Sequence, residues 1–184
     1  MREPTYRIEN IVATIDLGVG LDLDTIARRT PASEYNPDQF PGLIIRLPTK
    51  AALLLFKTGK VVIAGAKSEK ELKRTVNELR KILRSAGASD PPRLEVKVQN
   101  VVASCDMHAE VDIEKAALTL DNTLYDPEQF PGLIYEIGKV TFLIFRTGRC
   151  VCAGVKSEDE LKLAITNTYN ALKAIGALLN STPS

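Results

Sequence analysis

Four of the five phenylalanines fall into two matched pairs, Phe40 with Phe56 and Phe130 with Phe145. A hairpin turning at Thr49 pairs residues whose numbers sum to about 98, so Phe40 and Phe56 meet at one end of it. A turn near Gly138 does the same for Phe130 and Phe145, and Pro41-Gly42 and Pro131-Gly132 stiffen the two approaches. Paired rings at the ends of an apolar sheet suit insertion between stacked planar groups. Other chemistry is sparse. The single histidine, His108, follows a strand end beside no nucleophile motif and reads as a turn residue. Cys105, Cys150 and Cys152 are an odd set without a disulfide framework, which fits a reducing compartment. With one histidine a zinc site lacks ligands, so these thiols read as core residues. Gly65-Ala66-Lys67-Ser68 is like the tail of a phosphate loop but lacks adjacent Gly-Lys, and Ser68 reads better as a helix cap. Glu158-Asp159 falls in the first turn of a helix, where it favours the dipole. The reading is no catalytic residue, no metal, no cofactor, and so no enzyme.

These residues sit in a sequence that occurs twice. Tyr35–Ile44 reads YNPDQFPGLI, and Tyr125–Ile134 reads YDPEQFPGLI. NIVA at Asn10 answers NVVA at Asn100, and FKTGKVVIAGAKSEKELK from Phe56 answers FRTGRCVCAGVKSEDELK from Phe145. Aligned this way, 27 of 61 compared positions are identical. The chain is a tandem duplication: residues 1–92 are one repeat with its linker, and 93–184 are the second. The two form one pseudo-two-fold domain, suited to a ligand of similar symmetry or a long, repetitive shape.

Each repeat reads as strand, short helix, several antiparallel strands and long helix. Residues 6–16 alternate as a strand, and Asp22 caps a short helix with Leu23, Ile26 and Ala27 inside. Leu43–Leu47, Ala51–Lys57 and Lys60–Gly65 follow as antiparallel strands. The long helix starts at Ser68, where Ser68 and Glu71 form a capping box that Ser157 and Glu160 repeat. Leu72, Val76, Leu79 and Leu83 make its apolar stripe, and Gly87 ends it. The expected fold class is α+β: a large antiparallel sheet with helices on one side.

One helix-covered face should leave a polar face opposite. Here both faces are apolar. Ile11, Ala13 and Ile15 oppose Asn10, Val12 and Thr14; Val61 and Ile63 oppose Val62 and Ala64. In the second copy Val101, Ala103 and Cys105 oppose Asn100, Val102 and Ser104, and Cys150 and Cys152 oppose Val151 and Ala153. The uncovered face is then a broad apolar binding surface, or it closes by homodimerisation.

Bulk properties bound the rest. No apolar run approaches the ~18 residues of a membrane span, and the polar N-terminus reads as neither signal nor transit peptide. No membrane partner is expected, and the default is an intracellular protein. Net charge is +1, but residues 1–92 carry +4 and residues 93–184 carry −3. One half suits a polyanion and the other a basic partner.

NIVA, YNPDQFPGLI, F-x-T-G-K-V-V and G-A-K-S, each in two copies and in this order, resemble the TATA-box-binding protein family, of the archaeal type. The likeness runs over roughly residues 6–180. It implies a saddle whose concave face sits on the widened minor groove of A·T-rich DNA, with its helices on the convex side. Such a factor works in the archaeal cytoplasm at the nucleoid, or in the nucleus if eukaryotic. Phe40 with Phe56, and Phe130 with Phe145, would wedge into base steps and bend the duplex. Asn10 and Asn100 would donate to base-edge acceptors. Val12, Leu54, Val62, Val102, Leu143 and Val151 would pack on sugars and bases. Arg46, Lys60, Lys67, Arg149 and Lys156 would meet phosphates. The A·T minor groove offers only acceptors, whereas G·C adds an amino donor that a smooth apolar sheet with two amide donors rejects.

The resemblance also implies partners. The loop Asp126-Pro127-Glu128-Gln129 would dock initiation factor B through Asp126, Glu128 and Gln129, and RNA polymerase indirectly. Three departures stand against the family pattern. Glu136 replaces the usual Arg that Arg46 keeps, Ala64 and Ala153 replace threonines, and the turns LPTKA and IGKV are short. These departures define the alternative expectation: a divergent member with weakened DNA binding that works as a protein-interaction module.

Overall fold

The structure, a computed structural model, describes residues 2–179, so residue 1 of the first repeat and residues 180–184 of the second lie outside the described residues. The first half runs β1 (Thr5–Asp16), α1 (Leu23–Arg29), β2 (Ser33–Glu34), β3 (Leu43–Arg46), β4 (Ala52–Leu55), β5 (Lys60–Ala66) and α2 (Glu69–Ser85). The second runs β6 (Val96–Asp106), β7 (Glu110–Val111), α3 (Ile113–Thr119), β8 (Thr123–Leu124), β9 (Leu133–Ile137), β10 (Val140–Ile144), β11 (Arg149–Val155), α4 (Glu158–Ala174) and β12 (Leu178–Leu179).

The described residues form two compact units: residues 10–99, and residues 2–9 together with 100–179. The first few residues of β1, part of the first repeat in sequence, therefore pack within the second unit. Side-chain chemistry explains why. Tyr6 donates its hydroxyl to Glu158 Oε1 at 2.6 Å, the Tyr169 hydroxyl donates to the Arg2 carbonyl at 3.4 Å, and Thr5 Oγ1 meets His108 Nε2 at 2.8 Å. Burial, then the Glu158 hydrogen bond and charge, push the Tyr6 phenol up to about 12. In the other unit Arg80 and Arg84 each bond Asp90 at 2.6 Å, and Arg80 also donates to the Pro91 carbonyl, which fastens the segment leading into β6.

In residues 10–99 the sheet order is β2-β3-β4-β5-β1, and in the second unit it is β6-β11-β10-β9-β8. Neighbours are antiparallel. Leu43 pairs with Leu55, the register expected for a turn at Thr49, and Val140 pairs with Ile137 about Gly138. Gly138 has φ +60°, a conformation that costs glycine little.

In each unit one long helix packs on one face of the sheet, α2 against β5 and α4 against β11. Asp22 accepts from Thr25 N to cap α1, and Ser68 accepts from Glu71 N to cap α2. The capping box differs in one detail: Glu71 reaches back to Lys67 N rather than to the cap residue, as Glu160 does to Lys156 N. Leu79 and Leu83 are fully buried under α2, each stabilising by about 1.5–3 kcal/mol relative to exposure. Val76 departs from the expected stripe, being only half-buried, and buried Thr75 stands beside it. All three cysteines are buried free thiols, and burial pushes Cys152 up to about 12. Among the described residues no helix is long and apolar enough to cross a membrane.

Candidate nucleic-acid interface

Strand alternation separates the two faces cleanly. Ile11, Ala13, Leu53, Leu55, Val61 and Ile63 point at the helices and are at most 2% exposed. Their neighbours Val12, Leu54, Val62 and Ala64 point the other way and are half-exposed. Register lines them up. Ile44 pairs with Leu54, Leu54 with Val62, and Val62 with Thr14, giving a row across four strands. The second unit repeats it as Ile134, Leu143, Val151 and Ser104. Val102 lies on the same face, between buried Val101 and Ala103. Ile44 and Ile134 belong to these rows although the sequence reading passed over them. Their alternation with Leu43 and Leu133 inside the repeated PGLI was the available signal.

The rings meet as the hairpin arithmetic requires. Phe40 and Phe56 lie 5.9 Å apart at 70°, and Phe130 and Phe145 lie 5.7 Å apart at 67°, both edge to face. Each pair stands over a glycine. A Cβ on Gly42 would sit 2.8 Å from Phe40 Cε1 and 3.0 Å from Phe56 Cε1, and one on Gly132 would sit 2.8 Å from Phe130 Cε1 and 3.1 Å from Phe145 Cε1. The turn before each pair is tied locally. The Asn36 carbonyl accepts from Gln39 N and Phe40 N, and the Asp126 carbonyl accepts from Gln129 N and Phe130 N. Gly132→Ala is therefore expected to push both rings off their seat. The rings can move, so the stability cost stays under about 1 kcal/mol. The readout is the ring–ring nuclear Overhauser contact, and an unchanged contact would show that the glycine does not set the ring positions.

Asn10 and Asn100 have a structural task that their sequence context hides. Asn10 Oδ1 accepts from Gly65 N at 2.7 Å, and Asn100 Oδ1 accepts from Gly154 N at 2.8 Å. Both glycines sit at register shifts of the ladder, with φ +89° and +97°. Each bulge frees a backbone N–H, and the asparagine oxygen satisfies it. The amide nitrogen is thereby left as the outward group, with two hydrogens and no partner among the described residues. A second duplicated pair lies nearby: Gln99 Nε2 donates to Thr14 Oγ1 at 2.9 Å, and Ser104 donates to Glu9 at 2.9 Å.

Lys60 and Arg149 open the helix-free faces of β5 and β11, and Arg46 ends β3 on the same side. Lys67 and Lys156 follow the bulges. All five are exposed, and among the described residues none forms an ion pair. Glu136 is likewise exposed, opposite Thr141 in the ladder. Asp126, Glu128 and Gln129 form an exposed turn in which Asp126 Oδ1 accepts from Glu128 N at 3.3 Å. Among the described residues no cluster of metal-ligating side chains comes together.

The family described as transcription factor TFIID, or TATA-binding protein, TBP, matches residues 5–86 and again 95–175. The chain belongs to the TATA-box-binding protein family. The TATA-box-binding protein of Pyrobaculum islandicum is 55% identical over 178 residues, covering 95% of this chain and 89% of that relative. The one from Sulfolobus acidocaldarius is 46% identical, covering 90% and 85%. The solved structure of Methanococcus jannaschii TBP superposes with TM-score 0.85 at 39% identity, covering 94% of this chain and 99% of that one. The expected fold class, the duplicated α+β fold of the TATA-box-binding family, is the one found. Within this family fold, the bulge glycines Gly65 and Gly154 and the seat glycines Gly42 and Gly132 are what the sequence reading undervalued.

Proposed function

We propose that this chain is a general transcription initiation factor that binds the minor groove of A·T-rich promoter DNA through its helix-free apolar faces. The observation that carries the reading is the matched set that each unit carries on that face: a phenylalanine pair, an outward amide donor, and a row of half-exposed aliphatic side chains. The relatives' names, TATA-box-binding proteins, support the ligand. An aliphatic row excludes water over sugars and base edges, and the Asn10 and Asn100 amides find only acceptors at A·T pairs. A guanine amino group would leave those donors facing a donor, so G·C pairs are rejected. The phenylalanine pairs insert at base steps; unstacking costs a few kcal/mol per step, offset by the larger contact of bent DNA. The exposed cations Arg46, Lys60, Lys67, Arg149 and Lys156 meet phosphates. The acidic turn of Asp126, Glu128 and Gln129 then receives initiation factor B, which brings RNA polymerase.

The test is a gel shift at fixed salt with an A·T-rich promoter duplex and a G·C-rich control. Selective retention of the A·T-rich duplex is expected; equal or absent retention of both contradicts the reading.

Glu136 favours a second reading, a divergent family member with weakened DNA binding that serves protein interaction. It stands at the position where the first repeat has Arg46. The variant Glu136→Arg separates the two. On the leading reading it tightens DNA binding several-fold at low salt, and the slope of log affinity against log salt steepens by about one. If DNA binding stays undetectable in both proteins, the interaction module is the better account.

A further inference from the structure

The second unit exchanges a facing pair of inert core residues for a pair with chemistry. In the first unit Ile15 on β1 stands opposite Val61 on β5. Their duplicates, opposite each other in the same way on β6 and β11, are Cys105 and Cys150. A third thiol, Cys152, stands opposite Ala103, where the first unit sets Ile63 opposite Ala13. All three cysteines of the chain share this patch of core, and all are free and buried. Cys105 is 5% exposed and Cys150 2%. Cys150 Sγ donates to the Gly148 carbonyl at 3.5 Å, and the Cys105 thiol lies within hydrogen-bonding reach of the same sulfur. Both members of one cross-strand pair differ from the first repeat in the same direction, toward cysteine.

We propose that Cys105 and Cys150 are a redox-responsive pair, which hydrogen peroxide closes to a disulfide that locks the second unit. Opposed residues of antiparallel strands point to the same face with Cα atoms ~4.5–5.5 Å apart, inside the ~4.4–6.8 Å that a disulfide spans. The strands already hold the two sulfurs where the bond needs them. The Cys105 sulfur attacks one peroxide oxygen, the O–O bond breaks, and the thiol proton leaves with the second oxygen as water, giving a sulfenic acid. The Cys150 sulfur then attacks the Cys105 sulfur, the S–O bond breaks, and the hydroxide leaves with the Cys150 proton as a second water. Two electrons pass from the two sulfurs to the peroxide. The hydrogen bond with Cys105, and then burial, push the Cys150 thiol up, so little thiolate is present and the folded protein responds to sustained rather than brief oxidant. The bond closes a loop that carries α3, β8, β9 and β10, and closing it restricts the unfolded chain. Val102, Ser104 and Val151 alternate with the thiols onto the opposite face, so the bond leaves the proposed DNA surface free.

The experiment holds the reduced full chain in hydrogen peroxide under native conditions, quenches it, and counts free thiols after unfolding. Two of the three thiols are expected to disappear and to return with dithiothreitol. Proteolysis and mass spectrometry should find one linked peptide pair, joining Cys105 to Cys150 within a single chain. The guanidinium midpoint of the oxidised protein should rise by roughly 0.5–1 M over the reduced protein, the scale of one disulfide. Cys150→Val, which installs the residue that the first repeat carries at Val61, should lose both the link and the shift, while Cys152→Ala keeps both. The peptide map and midpoint of the parent chain decide the matter even if a variant fails to fold. Three thiols surviving prolonged peroxide, a loss that dithiothreitol does not reverse, a link through Cys152 or between chains, or an unchanged midpoint after linkage each overturns the proposal.

Discussion

Replacing Phe130 and Phe145 together by alanine is expected to remove most of the DNA bend contributed by the second unit. Affinity for an A·T-rich duplex should fall by at least about a hundredfold, since each ring buried between bases contributes about 1.5–3 kcal/mol of apolar transfer. The folded protein should barely notice. Both rings are half-exposed and touch each other edge to face at 5.7 Å, so their removal opens no core cavity. Fluorescence transfer between dyes at the ends of the duplex reads the bend, and unfolding in denaturant controls for stability. Phe40 and Phe56 remain, so a residual one-sided bend is expected. A duplex bent as strongly by the variant as by the parent would mean that the rings do not insert.

The second large effect concerns Asn100, and it separates a structural role from a recognition role. Asn100→Asp keeps an oxygen for Gly154 N and so keeps the bulge capped. It replaces the outward amide donor by a carboxylate oxygen that faces the acceptors of A·T pairs. Stability should change little, while DNA affinity falls on the order of a hundredfold. Asn100→Ala behaves differently, because the Gly154 N–H then loses its acceptor. That costs about 1–3 kcal/mol of stability in addition to the lost contact. Paired measurements of unfolding and gel-shift affinity on the two variants test this. Equal stability loss in both would show that the asparagine oxygen does not cap the bulge.

Much of the architecture was legible because it rests on local chemistry and on repetition. The hairpin register followed from the positions of turn residues, and the matched phenylalanines from that register. The uncovered apolar face followed from counting helices against strands. Three things were not legible. The bond from Asn10 to Gly65 joins residues 55 apart, and no periodicity announces a side chain that caps a bulge. Val76 sits on a perfect helical stripe yet stays half-exposed, because its burial depends on the size of Val96, a residue of a different element. And β1 reads as one continuous strand, although its first residues pack within the second unit through Tyr6 and Glu158. In each case a contact between distant segments decides the outcome, and alternation within a single segment carries no record of it.

The most direct test follows valine methyl resonances while an A·T-rich duplex is added to the full chain. Val61 and Val62 are neighbours on opposite faces, as are Val101 and Val102, so each pair carries its own control. Large shifts at Val12, Val62, Val102 and Val151, with Val61 and Val101 nearly still, are the predicted result. Shifts confined to residues beneath the helices, or none at saturating duplex, would contradict the account.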